Sequence, residues 1–311
     1  MATHTQSIGT ITTCPAVVAI LVMATGLLSA QNPSPKRIIS IVPSVTQILF
    51  AIGAESRLVG IGSFDRLPDG DDRTAELVRV GGLLDPDMER IFTLRPDLVV
   101  LYKSHVDQRQ QLERAGIPVL VYEHAGLADI AKTIRDLGAR TGRTAQAESI
   151  ATRMDTGLAA IRAKVDGRPR PRTLLVFSRE PMALRNIYAS GGIGFLHDML
   201  ETAGGENVFG EIRSENIAQV SSEAILAAAP DVIIEIRFDE YLREDVIDDE
   251  RDVWRRLSAL PAVRNGRIHF LTGHRFVVPG PGVIEATEEL ARMLHPEVFA
   301  TPQIRPAPGA E

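Results

Sequence analysis

Cysteine is nearly absent from this chain. The single thiol, Cys14, precedes an apolar run near the start of the 311 residues, so everything after it is free of disulfides, thiolate metal sites and cysteine nucleophiles. A lipid-attachment cysteine would follow such a run, and Cys14 does not. Charge is missing from the first 30 residues, which contain no Lys, Arg, Asp or Glu. The formal charge of −6 therefore belongs to the remainder and argues against nucleic acid or an anionic membrane surface as partner. Catalytic signatures are missing too: there is no Walker phosphate loop, no H-E-x-x-H and no G-x-S-x-G. GGIG (191–194) and PGPG (279–282) lack the G-x-G-x-x-G spacing after a strand and read as turn or packing glycines. The seven histidines show no metal-ligand spacing; the pair His269 and His274, five apart across a strand end, comes nearest to one.

What is present begins with residues 15–30, PAVVAILVMATGLLSA, followed by the proline-broken QNPSPKR. The run lacks the polar face of a buried surface helix and is shorter than the about 20 residues of a membrane span. It reads as a secretory signal peptide over residues 1–30, cut after Ala30, and implies export.

The rest is written twice. ERIFTLRPDLVV (89–100) and EAILAAAPDVII (223–234) share a glutamate, an amphipathic stretch, Pro-Asp and branched aliphatics at an offset of 134. RIISIVP (37–43) and RTLLVFS (172–178) repeat at an offset of 135. Each set reads as strand, then helix, turn and buried strand, which predicts two similar α/β lobes. The first covers 37–142, with a helix at SVTQILFAIGA whose Ser44 and Gln47 have capping-box spacing, and strands at 58–62, 97–102 and 118–123. The second covers 170–299, with a helix at GFLHDMLETAG, strands at DVIIEIR and RIHFLTG, and a closing helix near VIEATEELARML. Between them Ile150, Met154, Leu158, Ile161 and Val165 fall on one helical face, predicting a connecting helix over 143–166 that is roughly 35 Å long. Residues 300–311 read as a disordered tail.

Taken in order, RIISIVPSVTQILFAIGAESRLVGIG, VGGLLDPDMERIFTLRPDLVV, AGGENVFG, VSSEAILAAAPDVIIE, WRRLSALPAVRNGRI and PGPGVIEATEELARMLHPEVF resemble the helical-backbone metal-receptor family. These are the periplasmic substrate-binding proteins of ABC importers for cobalamin, haem and iron siderophores. The resemblance spans about 37–299. It implies a class III periplasmic binding protein: two three-layer lobes with short, mainly parallel sheets, joined by one long rigid helix. It also implies a non-enzymatic, monomeric, periplasmic protein with no resident cofactor, delivering a metal chelate to a permease dimer in the inner membrane. A cobalamin-type corrinoid is the preferred ligand, with haem or a ferric siderophore as alternatives. Other classes that share the architecture are a chelatase-like two-lobed enzyme and a sensor domain.

Open α/β sheets bind ligands at the carboxyl ends of their strands. This points to the loops after Val42, Ile61, Leu101, Phe177, Ile236 and Leu271, and to Ser44, Phe64, Tyr102, Arg179, Phe238 and Arg275 within them, with Tyr188 added from NIYASGG. Aromatic faces with hydroxyl and cationic donors suit a large planar or chelated molecule. Tyr102 and His105 keep haem open, since iron takes Tyr or His ligands, whereas Trp254 lies in a structural segment. The resemblance assigns Glu89 and Glu223, one per lobe, to docking on permease arginines. Spacing alone reads both as complementing a helix dipole, Glu89 behind an Asp85 cap and Pro86, and Glu223 behind Ser221.

Overall fold

Branched aliphatic runs set the frame, because each can bury both faces only inside a parallel sheet covered by helices. The computed structural model describes residues 34–67, 71–123, 126–237 and 244–299. The signal-peptide segment, the tail after 299 and Phe238 lie outside these. In the first lobe β1 (Ile38–Ser40), β2 (Leu58–Ile61), β3 (Leu98–Tyr102) and β4 (Val119–Tyr122) form an all-parallel sheet in the order β2-β1-β3-β4. Its helices are α1 (Pro43–Ala51), α2 (Met88–Thr93), α3 (Val106–Arg114) and α4 (Leu127–Thr141).

The second lobe is built on β5 (Arg172–Ser178), β6 (Ile187–Ser190), β7 (Glu206–Asn207), β8 (Ile217–Val220), β9 (Val232–Arg237) and β10 (Ile268–Thr272). The order is β10-β9-β5-β6-β8, with β7 on β5; β6 and β8 run antiparallel, an extension that the sequence reading did not include. Around this sheet lie α6 (Phe195–Thr202), α7 (Ser222–Ala228), α8 (Glu244–Trp254), α9 (Pro261–Arg264), α10 (Val283–Leu294) and α11 (Pro296–Phe299).

The connector is α5 (Thr144–Val165), 22 residues and about 33 Å long. It folds back on α4 through Gly142, whose φ of 66° takes the left-handed helix exit. The two helices approach so closely that a Cβ on Gly138 would lie 2.2 Å from that of Ala147. The buried stripe is accordingly Ala147, Ala151, Met154, Leu158, Ile161 and Val165; Ile150, expected on this face, is only half-buried because alanines occupy the tight end.

Alternation along the strands sorts side chains into three cores. Ile38, Leu98 and Val100 point to one face of the first sheet, and Ile39, Val99 and Leu101 to the other. In the second sheet Leu175, Val232, Ile234 and Ile236 face one way, and Leu174, Val176 and Ile233 the other. The inner faces of both sheets join the buried stripe of α5 in one continuous apolar cluster. Each lobe is thus a three-layer unit whose inner layer is shared with its neighbour.

The repeated Pro-Asp phrase holds the joint between helix and strand. Asp97 accepts hydrogen bonds from the amides of Lys36 and Arg37, both at 2.8 Å, while Asp231 accepts one from Arg172 at 3.2 Å. The missing bond has a simple cause: Pro171 stands where Lys36 does and has no amide proton. The arginine of each pair reaches back to the preceding helix end, Arg37 to the Leu94 carbonyl at 2.6 Å and Arg172 to that of Ala228 at 2.9 Å. Arg95 and Ala229, each just before the proline, carry left-handed φ values of 47° and 43°; proline disfavours the right-handed helical conformation there.

Candidate functional site

The carboxyl ends of the first-lobe strands open into a cavity of about 740 Å³. Ile41, Pro43 and Ser44 line it after β1, Gly62 to Arg66 after β2, and Tyr102 at the end of β3. Opposite them, the loop after β10 contributes His274 and Val277 to Pro279. A smaller chamber of about 290 Å³ adjoins through Val277; Phe177, Ile193 to Leu196, Asn216 and Ile217 complete its wall. Ligand pockets for small molecules usually fall between about 300 and 1,000 Å³.

A third stretch of wall, Leu83 to Asp85, comes from the loop before α2. Gly81, at φ 94°, makes that loop possible, since a side chain there would strike the Asp85 carbonyl and the Asp87 amide. His105, buried beneath, holds the loop against β3: its Nδ1 accepts the Tyr102 amide at 3.2 Å and its Nε2 proton is donated to the Leu83 carbonyl. Leu84, 90% exposed, and Phe64, 69% exposed, stand at the rim. Water-facing apolar surface of this size is unfavourable until something covers it.

The polar wall is fixed from behind. Arg79 donates to the carbonyls of Gly62 at 3.0 Å and Asp65 at 2.6 Å, and Thr46 donates its hydroxyl to Asp65 Oδ2. Asp65 is 1% exposed, and its Oδ1 has no hydrogen-bond partner. Burial pushes its carboxyl up to about 7 despite the opposing pull of the Thr46 hydroxyl, the nearby Gly62 amide and the Arg79 guanidinium. The Tyr102 phenol is likewise raised by burial; its ring meets Tyr122 edge-on at 5.8 Å.

Of the residues singled out from sequence, Ser44, Phe64 and Tyr102 lie on the cavity wall. Ser44 gets there because α1 begins one residue earlier, at Pro43, with Val42 as cap residue; its hydroxyl is therefore not a helix cap, and Gln47 donates instead to the Arg66 carbonyl. Arg179 is elsewhere. It is buried with Glu235 at 3.0 Å and Glu250 at 2.7 Å, while Arg237 pairs with the same two carboxylates at 2.9 and 2.8 Å. Trp254, fully buried, donates its indole N–H to Glu235 at 3.0 Å. Burial works against the Glu250 charge, yet the Arg179 and Arg237 guanidiniums hold its carboxyl below the usual range. Two cations facing two anions leave the cluster neutral, so Arg179 is occupied in packing α8 onto the sheet.

Arg275 also turns from the cavity wall. It pairs with Glu289 at 2.7 Å and lies over the Phe276 ring. Tyr188 sits half-exposed on β6, opposite Gln219 of β8, because its loop is part of the antiparallel extension. Glu89 and Glu223 are exposed and occupy the same place, the second residue of α2 and α7. Their caps are Asp87, rather than Asp85, and Ser221. His105, committed at both nitrogens, is not poised as an iron ligand, whereas His274 faces the cavity with Nδ1 unpartnered.

The sequence pattern of the periplasmic binding protein family matches residues 38–274, which is most of the chain and includes every strand of both sheets. The chain belongs to that family. An uncharacterized ABC transporter substrate-binding lipoprotein of Bacillus subtilis is 28% identical over 85% of this chain and 82% of its own length. The vitamin B12-binding protein of Salmonella typhimurium is 32% identical over 64% of this chain and 71% of its own. Among solved structures, the periplasmic vitamin B12-binding protein of Vibrio cholerae superposes with a TM-score of 0.70 at 22% identity, covering 86% of this chain and 99% of that one. The periplasmic haem-binding protein of Roseiflexus gives 0.69 at 23%, covering 84% and 99%. These likenesses establish the class III, two-lobed periplasmic binding protein fold.

Asp65, Leu83, Leu84 and Val277 to Pro279 also line the cavity and are not among the residues that strand-end reasoning singles out. Asp65 was within reach, being the next residue after Phe64 at a strand's carboxyl end. Leu83 and Leu84 follow no strand directly, and Val277 to Pro279 lie in the loop after β10 but beyond Arg275, so only the tertiary fold carries them to the cleft.

Proposed function

We propose that this chain is the extracytoplasmic substrate-binding component of an ABC importer, taking a metal chelate of corrinoid type into the cavity and delivering it to a membrane permease. The observation that carries this reading is the cavity itself, about 740 Å³, walled by strand-end loops of both lobes and rimmed by exposed Phe64 and Leu84. Apolar flanks with a few fixed polar groups suit a large, rigid, amide-bearing macrocycle. The family's vitamin B12-binding relatives support the corrinoid preference. The secretory reading of residues 1–30 supports a site of action outside the cytoplasmic membrane, as does a relative named as a transporter lipoprotein.

Absorbance titration of the purified protein with cyanocobalamin, hemin and a ferric siderophore tests it: a saturable change with cyanocobalamin is expected. Loss of that response together with tight hemin binding would move the assignment to haem, the reading favoured by His274 and Tyr102 on the wall. A protein that binds none of the three is not a chelate receptor.

Delivery needs a docking surface. Glu89 and Glu223, exposed at matching positions of matching helices, are the groups we assign to arginines of a two-fold permease; charge-assisted carboxylate–guanidinium bonds orient a complex that must also come apart. Reversing both to Arg is expected to abolish uptake through the cognate permease with ligand affinity intact. Normal uptake by the double variant would remove the assignment.

A further inference from the structure

The glycine turn GGIG (191–194) plays no part in the main cavity, yet it forms one side of the smaller chamber of about 290 Å³. Its backbone is stitched to the loop it faces. The Gly191 amide donates to the Asn216 carbonyl at 2.9 Å and the Gly192 amide to that of Ile212 at 2.7 Å. Asn207, buried behind them, donates to the Ser190 and Gly191 carbonyls at 3.1 and 2.9 Å. Side chains have no room here: a Cβ on Gly191 would strike the Glu215 carbonyl, and one on Gly192 the Gly210 carbonyl. Hydrogen-bonded backbone, rather than mobile side chains, thus fixes this side of the chamber.

The remaining lining is apolar. Phe177 comes from the carboxyl end of β5, Phe195 from the first residue of α6, Ile217 from the first of β8, and Ile193 and Val277 from loops. All five are only half-buried, so the chamber is open to an incoming group rather than sealed in the core. Val277 also belongs to the wall of the main cavity, which sets the two spaces side by side. One polar side chain, Asn216, interrupts the lining. Its carboxamide makes no hydrogen bond among the described residues and lies beside Gly194, where a Cβ would approach the carboxamide carbon to 3.0 Å.

From this arrangement we infer that the chamber seats a fused heteroaromatic arm of the same ligand whose chelate fills the main cavity. A charged arm would surrender its hydration without gaining a counter-ion, since no Lys, Arg, Asp or Glu is among the described residues of the lining. A purely aliphatic arm would cover the Asn216 carboxamide and leave it without a partner. A flat ring makes offset or edge contacts with the two phenylalanines, and a ring nitrogen or N–H finds in Asn216 both a donor and an acceptor. This rests on the proposed chelate-binding function and makes the ligand bipartite, with a second determinant of specificity in the second lobe.

The test compares cyanocobalamin, which carries a benzimidazole arm, with dicyanocobinamide, the same corrin without it. Affinities are measured in wild type, Phe195→Ala and Ile193→Trp, with thermal melts to check folding. Free 5,6-dimethylbenzimidazole, followed by saturation-transfer NMR, probes the chamber without any chelate. Wild type should hold cyanocobalamin about tenfold to a hundredfold more tightly than dicyanocobinamide, the effect of burying one aromatic ring. Ile193→Trp, which fills the chamber, and Phe195→Ala, which strips one wall, should each shrink that ratio toward one, and Ile193→Trp should abolish the dimethylbenzimidazole signal. Equal affinity for the two corrinoids in wild type, or an undiminished ratio in folded Ile193→Trp, overturns the arm subsite and leaves the chelate function standing. Binding of neither corrinoid removes the corrinoid reading instead. The chamber then stands if dimethylbenzimidazole binds wild type and not Ile193→Trp, and falls with it otherwise.

Discussion

The two lobes share a register and differ in what they do with their strand ends. Ile38 pairs with Leu98 in the first as Thr173 pairs with Val232 in the second, and each lobe ties its helix to its strand with the same Arg–Asp clamp. At the end of the first strand the equivalence breaks. Ser44 of the first lobe lines the cavity; the position offset by 135 is Arg179, buried among Glu235, Glu250 and Arg237. The first lobe thus buries a carboxyl, Asp65, in the cavity wall without an ion-pair partner among the described residues, whereas the second neutralises its charges internally. Duplicated architecture preserves the backbone joints, and chemistry diverges where the strands stop.

The largest expected effect comes from breaking the neutral cluster. Arg179→Ala leaves two carboxylates short of a buried cation and should cost about 3 to 5 kcal/mol, read as a lower urea midpoint. Ser44→Ala at the matching position should cost under about 1 kcal/mol. Equal losses would mean that the strand ends do not differ as described.

Next is Asp65 in the ligand-free protein. Its native pKa of about 7 lies above the ordinary 3.8, so between those values the folded state holds a proton that the unfolded state has released. Stability therefore falls as pH rises from about 4 to 7, and the deficit persists above 7. Asp65→Asn removes that deficit, with a gain of up to about 4 kcal/mol at pH 8 and almost none at pH 4. Melting curves at the two pH values measure it. A pH-independent difference would show that burial does not hold the carboxyl's proton.

The smallest effect separates the two clamps. Asp97→Ala forfeits two amide bonds and Asp231→Ala one, so the first should cost about 1 kcal/mol more than the second. Replacing Pro171 with Lys should narrow the gap by returning the missing amide. Denaturant unfolding of the three variants resolves the difference.

The frame was legible because it is periodic. Branched runs at 38–42, 98–101, 173–176 and 232–236 alternate between faces as pattern alone requires, and the spacing of Met154, Leu158, Ile161 and Val165 gives the connector. α4 carries an equally regular apolar face, with Ile130, Ile134 and Leu137 on it, that the sequence reading did not include. The site was legible on one side only. Strand-end reasoning found Ser44, Phe64 and Tyr102, yet the same rule misplaced Arg179, since nothing local in the chain says that Glu235 and Glu250 converge on it from 56 and 71 residues away. Arg275 was lost in the same manner to Glu289.

The continuous inner core also dictates when the chain can finish folding. Leu158, Ile161 and Val165 of α5 share their cluster with Val283, Leu290 and Leu294 of α10, and Gly157 is a glycine because Ile284 presses on it. The midline of the molecule therefore stays open until residues beyond 280 arrive. The two halves can each form their local helices first, but the lock that unites them is cut from α10 and waits for it.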